Sequence, residues 1–325
     1  MSASPPPPPP PAQVADPHFY TRMHQFTPSM RRAVYPAIEA SNPQNSVQGL
    51  SVLVTGATRG IGKAIALAWA QAGASRIAIT GRDASLLAAV SAQITAIAPS
   101  TTVFAAVADA GDEAATRKLW ADVQAAIGRV DVLVCNAGVF SEGQADFPVL
   151  GVMEPGRWWA DFEVNVRGPY LHIYSFLQQF RTPNDGIQQP TGTVIVVTSG
   201  AGALTMPGMS AYSISKLADL RLSQFLHAEH PTLRTFALHP GMAPTDMAPP
   251  RFAALNLDPP ELAAGLTLYM AQPRADFLRG RYVSVNWDVE EMERHSGEIV
   301  EKGLLGFVGV KGEFGAEGHG FEGEA

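Results

Sequence analysis

At 325 residues, with 46% hydrophobic and 16% charged side chains, the chain is long enough for one large α/β domain or two small ones, with a sizeable core. A formal charge of -7, from 23 Lys+Arg against 30 Asp+Glu with no Lys/Arg-rich block, argues against nucleic acid and anionic membrane as partners. The single cysteine, Cys135, excludes an intrachain disulfide and suits a reducing compartment; no apolar stretch reaches the ~18 residues of a membrane span.

Residues 1–45 read as an extension. The run Pro5 to Pro11 favours polyproline II, which predicts a disordered tail or a ligand for a proline-binding module. This start lacks the basic residues and apolar core of a signal peptide, so a cytoplasmic protein is expected. The stretch HFYTRMHQFTPSMRRAVYPAI carries aromatics suited to drape over a folded body or a partner subunit.

Regular alternation begins near residue 50. SVLVTG is a short β-branched run ending in glycine, as for a strand buried on both faces. IGKAIALAWAQAG has apolar residues at helical spacing and stops at Gly73. RIAIT predicts a second strand, and DASLLAAVSAQITAIA a helix capped by Asp83. TTVFAAVA, DEAATRKLWADVQAAIG and VDVLVCNAG repeat the pattern, with Cys135 expected to be buried and inert. RWWADFEVNVRGPYLHIYSFLQQF is a long helical segment that Gly168-Pro169 should kink or interrupt. GTVIVVTS, AYSISKLADLRLSQFLHAEH, LRTFALHPG, PPELAAGLTLYMAQ and GRYVSVNW continue the strand–helix order. This pattern predicts a Rossmann-type α/β fold: one doubly wound parallel sheet with helices on both faces, over residues 46–290. Residues 291–325 read as a C-terminal extension ending in a Gly/Glu-rich tail.

Gly56, Gly60 and Gly62 fall in the turn between the first strand and first helix. That turn needs backbone able to approach a pyrophosphate, and the helix offers free N–H groups to it. Strand, turn and helix in this order point to dinucleotide binding. An NAD site normally places an acid after the second strand, to bind the ribose 2′-hydroxyl. Here Thr80 and Gly81 are followed by Arg82, with Arg59 as a second base, and Asp83 is better explained as a helix cap. NADP(H) is therefore favoured over NAD(H). Asp109 fits an adenine contact or a helix cap.

TGATRGIG, NAG at 136–138, Asn165, Ser199, YSISK and PG at 240–241 occur in the order that resembles the short-chain dehydrogenase/reductase family. The resemblance covers residues 48–290 and implies hydride transfer between a nicotinamide cofactor and an alcohol or carbonyl. It implies Tyr212 as proton donor and Lys216 as its tuner and a ribose ligand. Ser199 would bond the substrate oxygen, and Asn165 would hold a water in a relay to Lys216. The chemistry suits these types. A phenol ordinarily titrates near about 10, and a lysine one helical turn away puts positive charge beside it. A hydroxyl at a strand end can stabilise the developing alkoxide; Thr198 is a neighbour able to substitute in part.

The same reading gives Gly56, Thr58, Arg59, Gly60, Ile61, Gly62, Arg82, Asp109, Asn136, Ala137, Gly138, Tyr212, Lys216, Pro240, Gly241 and Thr245 to the cofactor. Phe140, Met206, Met242 and Ser199 go to the substrate; Pro207 and Trp158 are further wall candidates, with core packing as good an explanation for Trp158. MAPPRFAALNLDPP suits a lid. His227 and His230 sit three apart at a helix end, but with no third ligand no metal is expected. His239 reads as a structural histidine. The expected function is reduction of a fairly apolar ketone or aldehyde, resembling the reductases of natural-product biosynthesis. The alternatives are an NAD-dependent alcohol dehydrogenase, or a cofactor-binding fold reused for cyclisation or isomerisation. The family implies a homodimer or homotetramer.

Overall fold

The computed structural model describes residues 14–184 and 186–307. The proline run and the Gly/Glu-rich tail lie outside the described residues. Seven parallel strands form one sheet: β1 (Ser51–Val54), β2 (Arg76–Gly81), β3 (Thr102–Val107), β4 (Val132–Cys135), β5 (Thr193–Val197), β6 (Arg234–His239) and β7 (Arg281–Ser284), in the order β3-β2-β1-β4-β5-β6-β7. The helices between them are α1 (Gly60–Gln71), α2 (Ala84–Ile97), α3 (Glu113–Ile127), α4 (Pro155–Phe162), α5 (Gly168–Gln178), α6 (Ser210–Glu229) and α7 (Pro260–Met270).

The continuous apolar runs follow from burial on both faces. In β1, Val52 and Val54 join one core while Leu53 joins the other; in β4, Val132 and Val134 oppose Leu133 and Cys135 in the same way. Strand side chains alternate between faces, so a strand covered on both sides is apolar along most of its length. The larger core holds α1 and α7, joined by the buried Trp69, whose indole N–H donates to Thr267 Oγ1 at 3.0 Å. Each such large side chain removed from water contributes roughly 2–3 kcal/mol. The smaller core holds Trp120, Val123 and Phe176 from α3 and α5.

Parallel order reverses between β1 and β4, which pair through Val52↔Val132 and Val54↔Val134. A crevice opens beyond the carboxyl ends of strands at such a reversal. The long helical segment is interrupted, as expected, but just before Gly168-Pro169. Residues Glu163–Arg167 form a π turn, and α5 then begins at Gly168 with Pro169 in its first turn, where no N–H is needed. An antiparallel hairpin pairs Arg181 with Ile187 and Thr182 with Gly186, which the sequence pattern did not reveal.

The segment from residue 14 to β1 packs over the body of its own chain. Arg32 Nε donates to the fully buried Asp258 at 2.8 Å, Arg31 pairs with Asp288, and Ser29 bonds Glu291. Trp287 Nε1 donates to the carbonyl of His24 at 2.7 Å. The helices Val289–Arg294 and Ser296–Glu301 close the far edge, where Tyr282 N donates to Leu305 O at 2.9 Å. No helix among the described residues is long and apolar enough to cross a membrane.

Candidate active site

One cavity of about 340 Å³ lies at the carboxyl ends of β1, β4, β5 and β6. Of the residues given above to catalysis, cofactor and substrate, all but Asn165 line it. Neither of the further wall candidates, Pro207 and Trp158, does; the Trp158 indole instead donates to Ser210 Oγ at 2.9 Å and its ring lies against Phe162.

The turn after β1 is built for close approach. Gly56 has φ +64, and a Cβ there would fall 2.8 Å from Ala137 Cα. A Cβ on Gly62 would stand 2.4 Å from both Asn136 Nδ2 and Gly56 O. Asn136 Nδ2 donates to the carbonyls of Thr55 and Gly56 at 2.9 and 3.2 Å, so β1 and β4 are pinned together beneath the turn. The buried Thr55 hydroxyl accepts from the amides of Asn136 and Ala137. This cradle and the open start of α1 fit a pyrophosphate.

At the end of β2, Arg82 is exposed and lines the cavity, and among the described residues it forms no ion pair. Asp83 is spent as the cap of α2, accepting from the amides of Ser85 and Leu86 at 2.9 and 3.0 Å. These bonds, from Leu86 first, hold its carboxyl below the usual range. Arg59 meets Asp246 at 3.3 Å, both well exposed. Asp109 lines the cavity and accepts from Gly111 N at 3.0 Å, while α3 is capped by Asp112.

Tyr212 and Lys216 lie one turn apart near the start of α6 and line the same cavity as Ser199, just beyond the carboxyl end of β5. Ser199 Oγ accepts from Ala201 N at 3.2 Å and starts a short 3-10 turn, leaving the hydroxyl hydrogen free to point elsewhere. Thr198 does not duplicate it, because its buried hydroxyl donates to the Lys216 carbonyl at 2.6 Å and ties β5 to α6.

Lys216 Nζ donates to Val197 O and to Asp219 Oδ2, each at 2.9 Å. Burial alone would lower its pKa, but the Asp219 carboxylate and Tyr212 outweigh that and hold it raised. Asp219 is pushed up to about 6 by its own burial, against the pull of Lys216. The Cys135 thiol is buried and raised well above its ordinary value by desolvation first and Asp219 second.

Asn165 sits in the π turn with its side chain fully occupied. Its Oδ1 accepts from Val139 N at 2.8 Å, and its Nδ2 donates to Val139 O at 3.0 Å and Ser215 Oγ at 2.9 Å. Ser215 in turn donates to the Tyr212 carbonyl at 2.8 Å. The side chain thus clamps the loop after β4 to α6.

The sequence did not single out Glu142, which is 1% exposed. Its carboxylate accepts from Ser210 Oγ and the amides of Ala211 and Tyr212, at 2.8, 3.0 and 3.1 Å. It caps the start of α6 from 70 residues upstream, complementing that helix's positive pole. A capping side chain from another element leaves no local signal. Tyr20, Thr21 and His24 were missed as well, and bring the N-terminal segment into the cavity wall.

The substrate end is aromatic and sulfur-rich. Tyr20, Phe140, Met209, Phe252 and Leu255 form a buried cluster against which Tyr212, Met206, Met242 and Met247 pack. The Phe140 and Tyr212 rings lie 4.4 Å apart. Beyond β6, Gly241 has φ +76 and passes so close to Asp258 that a Cβ would fall 2.5 Å from its Oδ2. Asp258 accepts from Met242 N at 2.7 Å, Asn286 Nδ2 at 2.8 Å and Arg32, fixing this loop to both ends of the chain. His239 Nδ1 accepts from Gly200 N at 3.1 Å; burial, with His24 adding, pushes its pKa down to about 3. His227 packs against Gly280.

A family model described as short chain dehydrogenase matches residues 51–256. Among curated proteins, the short chain dehydrogenase citE of Monascus ruber is 36% identical over 275 residues, covering 82% of this chain and 90% of its own. The short chain dehydrogenase pigC of Monascus ruber is 34% identical over 289 residues, covering 86% and 91%. A dehydrogenase/reductase from Sinorhizobium meliloti 1021 superposes with TM-score 0.65 at 27% identity, covering 74% of this chain and 95% of its own. Levodione reductase gives the same TM-score at 21% identity, covering 74% and 96%, and so bears on the fold alone. The glycine cradle, the Ser–Tyr–Lys constellation and these likenesses together place the chain in the short-chain dehydrogenase/reductase family, oxidoreductases that use a nicotinamide cofactor.

Proposed function

We propose that the protein is an NADP(H)-dependent carbonyl reductase acting on a fairly apolar ketone or aldehyde in natural-product metabolism. The observation that carries this reading is one cavity wall holding the glycine cradle, Arg82, Ser199, Tyr212 and Lys216. Gly56, Gly62, Asn136 and the start of α1 would hold the pyrophosphate, Arg82 the 2′-phosphate, and Lys216 the nicotinamide ribose. When bound, the reduced nicotinamide supplies the hydride.

The residues do the rest. Ser199 turns its free hydroxyl hydrogen to the carbonyl oxygen and stabilises the charge that develops there. Tyr212 donates its phenolic proton to that oxygen, and the Lys216 ammonium beside it stabilises the phenolate left behind. Asn165 holds Val139 and α6 in register instead of touching substrate. The aromatic and methionine cluster excludes water from the reacting face and favours an apolar substrate. Arg82, with Asp83 committed to its helix, supports NADP(H) over NAD(H). We take the working form to be a cytoplasmic homodimer or homotetramer; Tyr170, Ile214 and Phe225, large apolar side chains left exposed on α5 and α6, support assembly.

Tyr212→Phe tests the assignment. Turnover of any accepted ketone should fall at least ~10²-fold, the scale of a lost general acid. NADPH affinity should change little. Retained turnover would remove Tyr212 from the chemistry.

A further inference from the structure

Lys216 is held by an unusual partner. Its ammonium lies between the Val197 carbonyl and the Asp219 carboxylate, one helical turn further along α6, with Asp219 fully buried. An ammonium has three N–H donors in fixed tetrahedral directions, so two fixed acceptors determine where the third points. Lys216 lines the cavity together with Gly138, where a Cβ would fall 3.7 Å from Nζ.

Asp219 is an expensive residue at this place. Its Oδ1 is buried without any hydrogen-bond partner, and a buried carboxylate with half its acceptors unmet weakens a fold. An apolar side chain on that helix face would serve packing better. A buried ammonium, however, gives up its solvation, and a carboxylate in contact with it replaces part of what burial removes.

We propose that Asp219 is a positioning residue for Lys216: it aims the ammonium at the cofactor side of the cavity and offsets part of the positive charge reaching the Tyr212 phenol. This rests on the reading of Tyr212 as proton donor and Lys216 as its cationic neighbour. The other ionisable groups around the pair are few. Cys135 on β4 faces both, Asp161 on α4 interacts with Lys216, and Glu142 faces Asp161 and the start of α6. On β6, His239 turns to Gly200. Strand β5 and the turn Gly200–Ala203 contain no ionisable side chain. Asp219 is therefore the anion in direct contact with the ammonium, and its removal leaves Lys216 acting uncompensated on the phenol.

Asp219→Asn keeps the shape and removes the charge. The phenolate absorbance owed to Tyr212 is read against pH as each protein minus its Tyr212→Phe counterpart, with NADPH-linked turnover followed on the same samples. In Asp219→Asn the phenolate should appear about one pH unit or more lower, the effect of one neighbouring charge. The alkaline fall of the reductive rate should move with it. Asp219→Ser, smaller and with room for a water, should give the same displacement if the Asn protein does not fold. Unmoved midpoints with only a lower melting temperature would make Asp219 a structural partner and overturn the proposal. Turnover surviving in Tyr212→Phe would instead sink the reductase reading, while a displaced midpoint would leave the Asp219–Lys216–Tyr212 coupling standing.

Discussion

The two ends of the cavity are built on opposite principles. The glycine-turn end consists of glycines, backbone N–H groups and exposed arginines, where a charged ligand would be met by solvated side chains and an open helix terminus. The Tyr212 end is backed by buried polar side chains already bonded: Asn165 to Val139 and Ser215, Glu142 to the start of α6, Lys216 to Val197 and Asp219. Binding a flexible polyphosphate tolerates mobile contacts, since several weak ones add. Moving a proton to one atom requires donors held in place before the substrate arrives. Damage at the buried end should therefore register as lost stability and lost rate, and at the open end as lost affinity alone.

The largest stability effect is expected at Asp258, which anchors the loop after β6. Arg32→Ala leaves that fully buried carboxylate without its cation and should cost about 3–5 kcal/mol. A chemical-denaturation midpoint measures this; a variant as stable as the parent would show that the N-terminal segment is a dispensable cover.

Away from the cavity, the packing of α3 on α5 should set the acid limit. His172 takes the Trp120 indole N–H on Nδ1 at 3.1 Å, and burial pushes its pKa down to about 4 from an ordinary 6.5. The unfolded chain accepts a proton as pH falls through the ordinary value, and the folded chain refuses it until about 4. The unfolded state thus binds more protons in that window, so stability is complete above it and declines as pH falls, by on the order of 3 kcal/mol at its lower end. His172→Gln keeps an acceptor for Trp120 and should flatten that decline. An unchanged slope would assign it to other groups.

The smallest effect is at the open end. Arg82→Ala should weaken NADPH binding by roughly 1–3 kcal/mol, the scale of a lost charged hydrogen bond, and spare both NADH binding and the melting temperature. Equal losses for both cofactors would break the contrast between the halves.

This contrast also explains what the sequence could reveal. The strands were legible because burial on both faces leaves continuous runs such as SVLV and TVIVV. The glycine turn was legible because its glycines fall close together in the chain, and YSISK because a helix brings positions four apart together. Glu142, Tyr20 and His24 were not legible, since each reaches the site across a separation in sequence that leaves no periodic trace. Thr198 was misjudged for a related reason: its partner is a helix carbonyl that strand position alone does not reveal. Asp219 was in plain view three residues after Lys216, but only burial distinguishes it from a solvated helix charge.

The most direct test of the central claim follows the hydride and the proton together. NADPH carrying deuterium at the transferring position of the nicotinamide is incubated with an accepted ketone, and the alcohol is analysed by mass and position of label. The account predicts one deuterium on the former carbonyl carbon with the parent protein, and essentially none with Tyr212→Phe. An unlabelled product, or labelled alcohol formed equally well without the phenol, would contradict it.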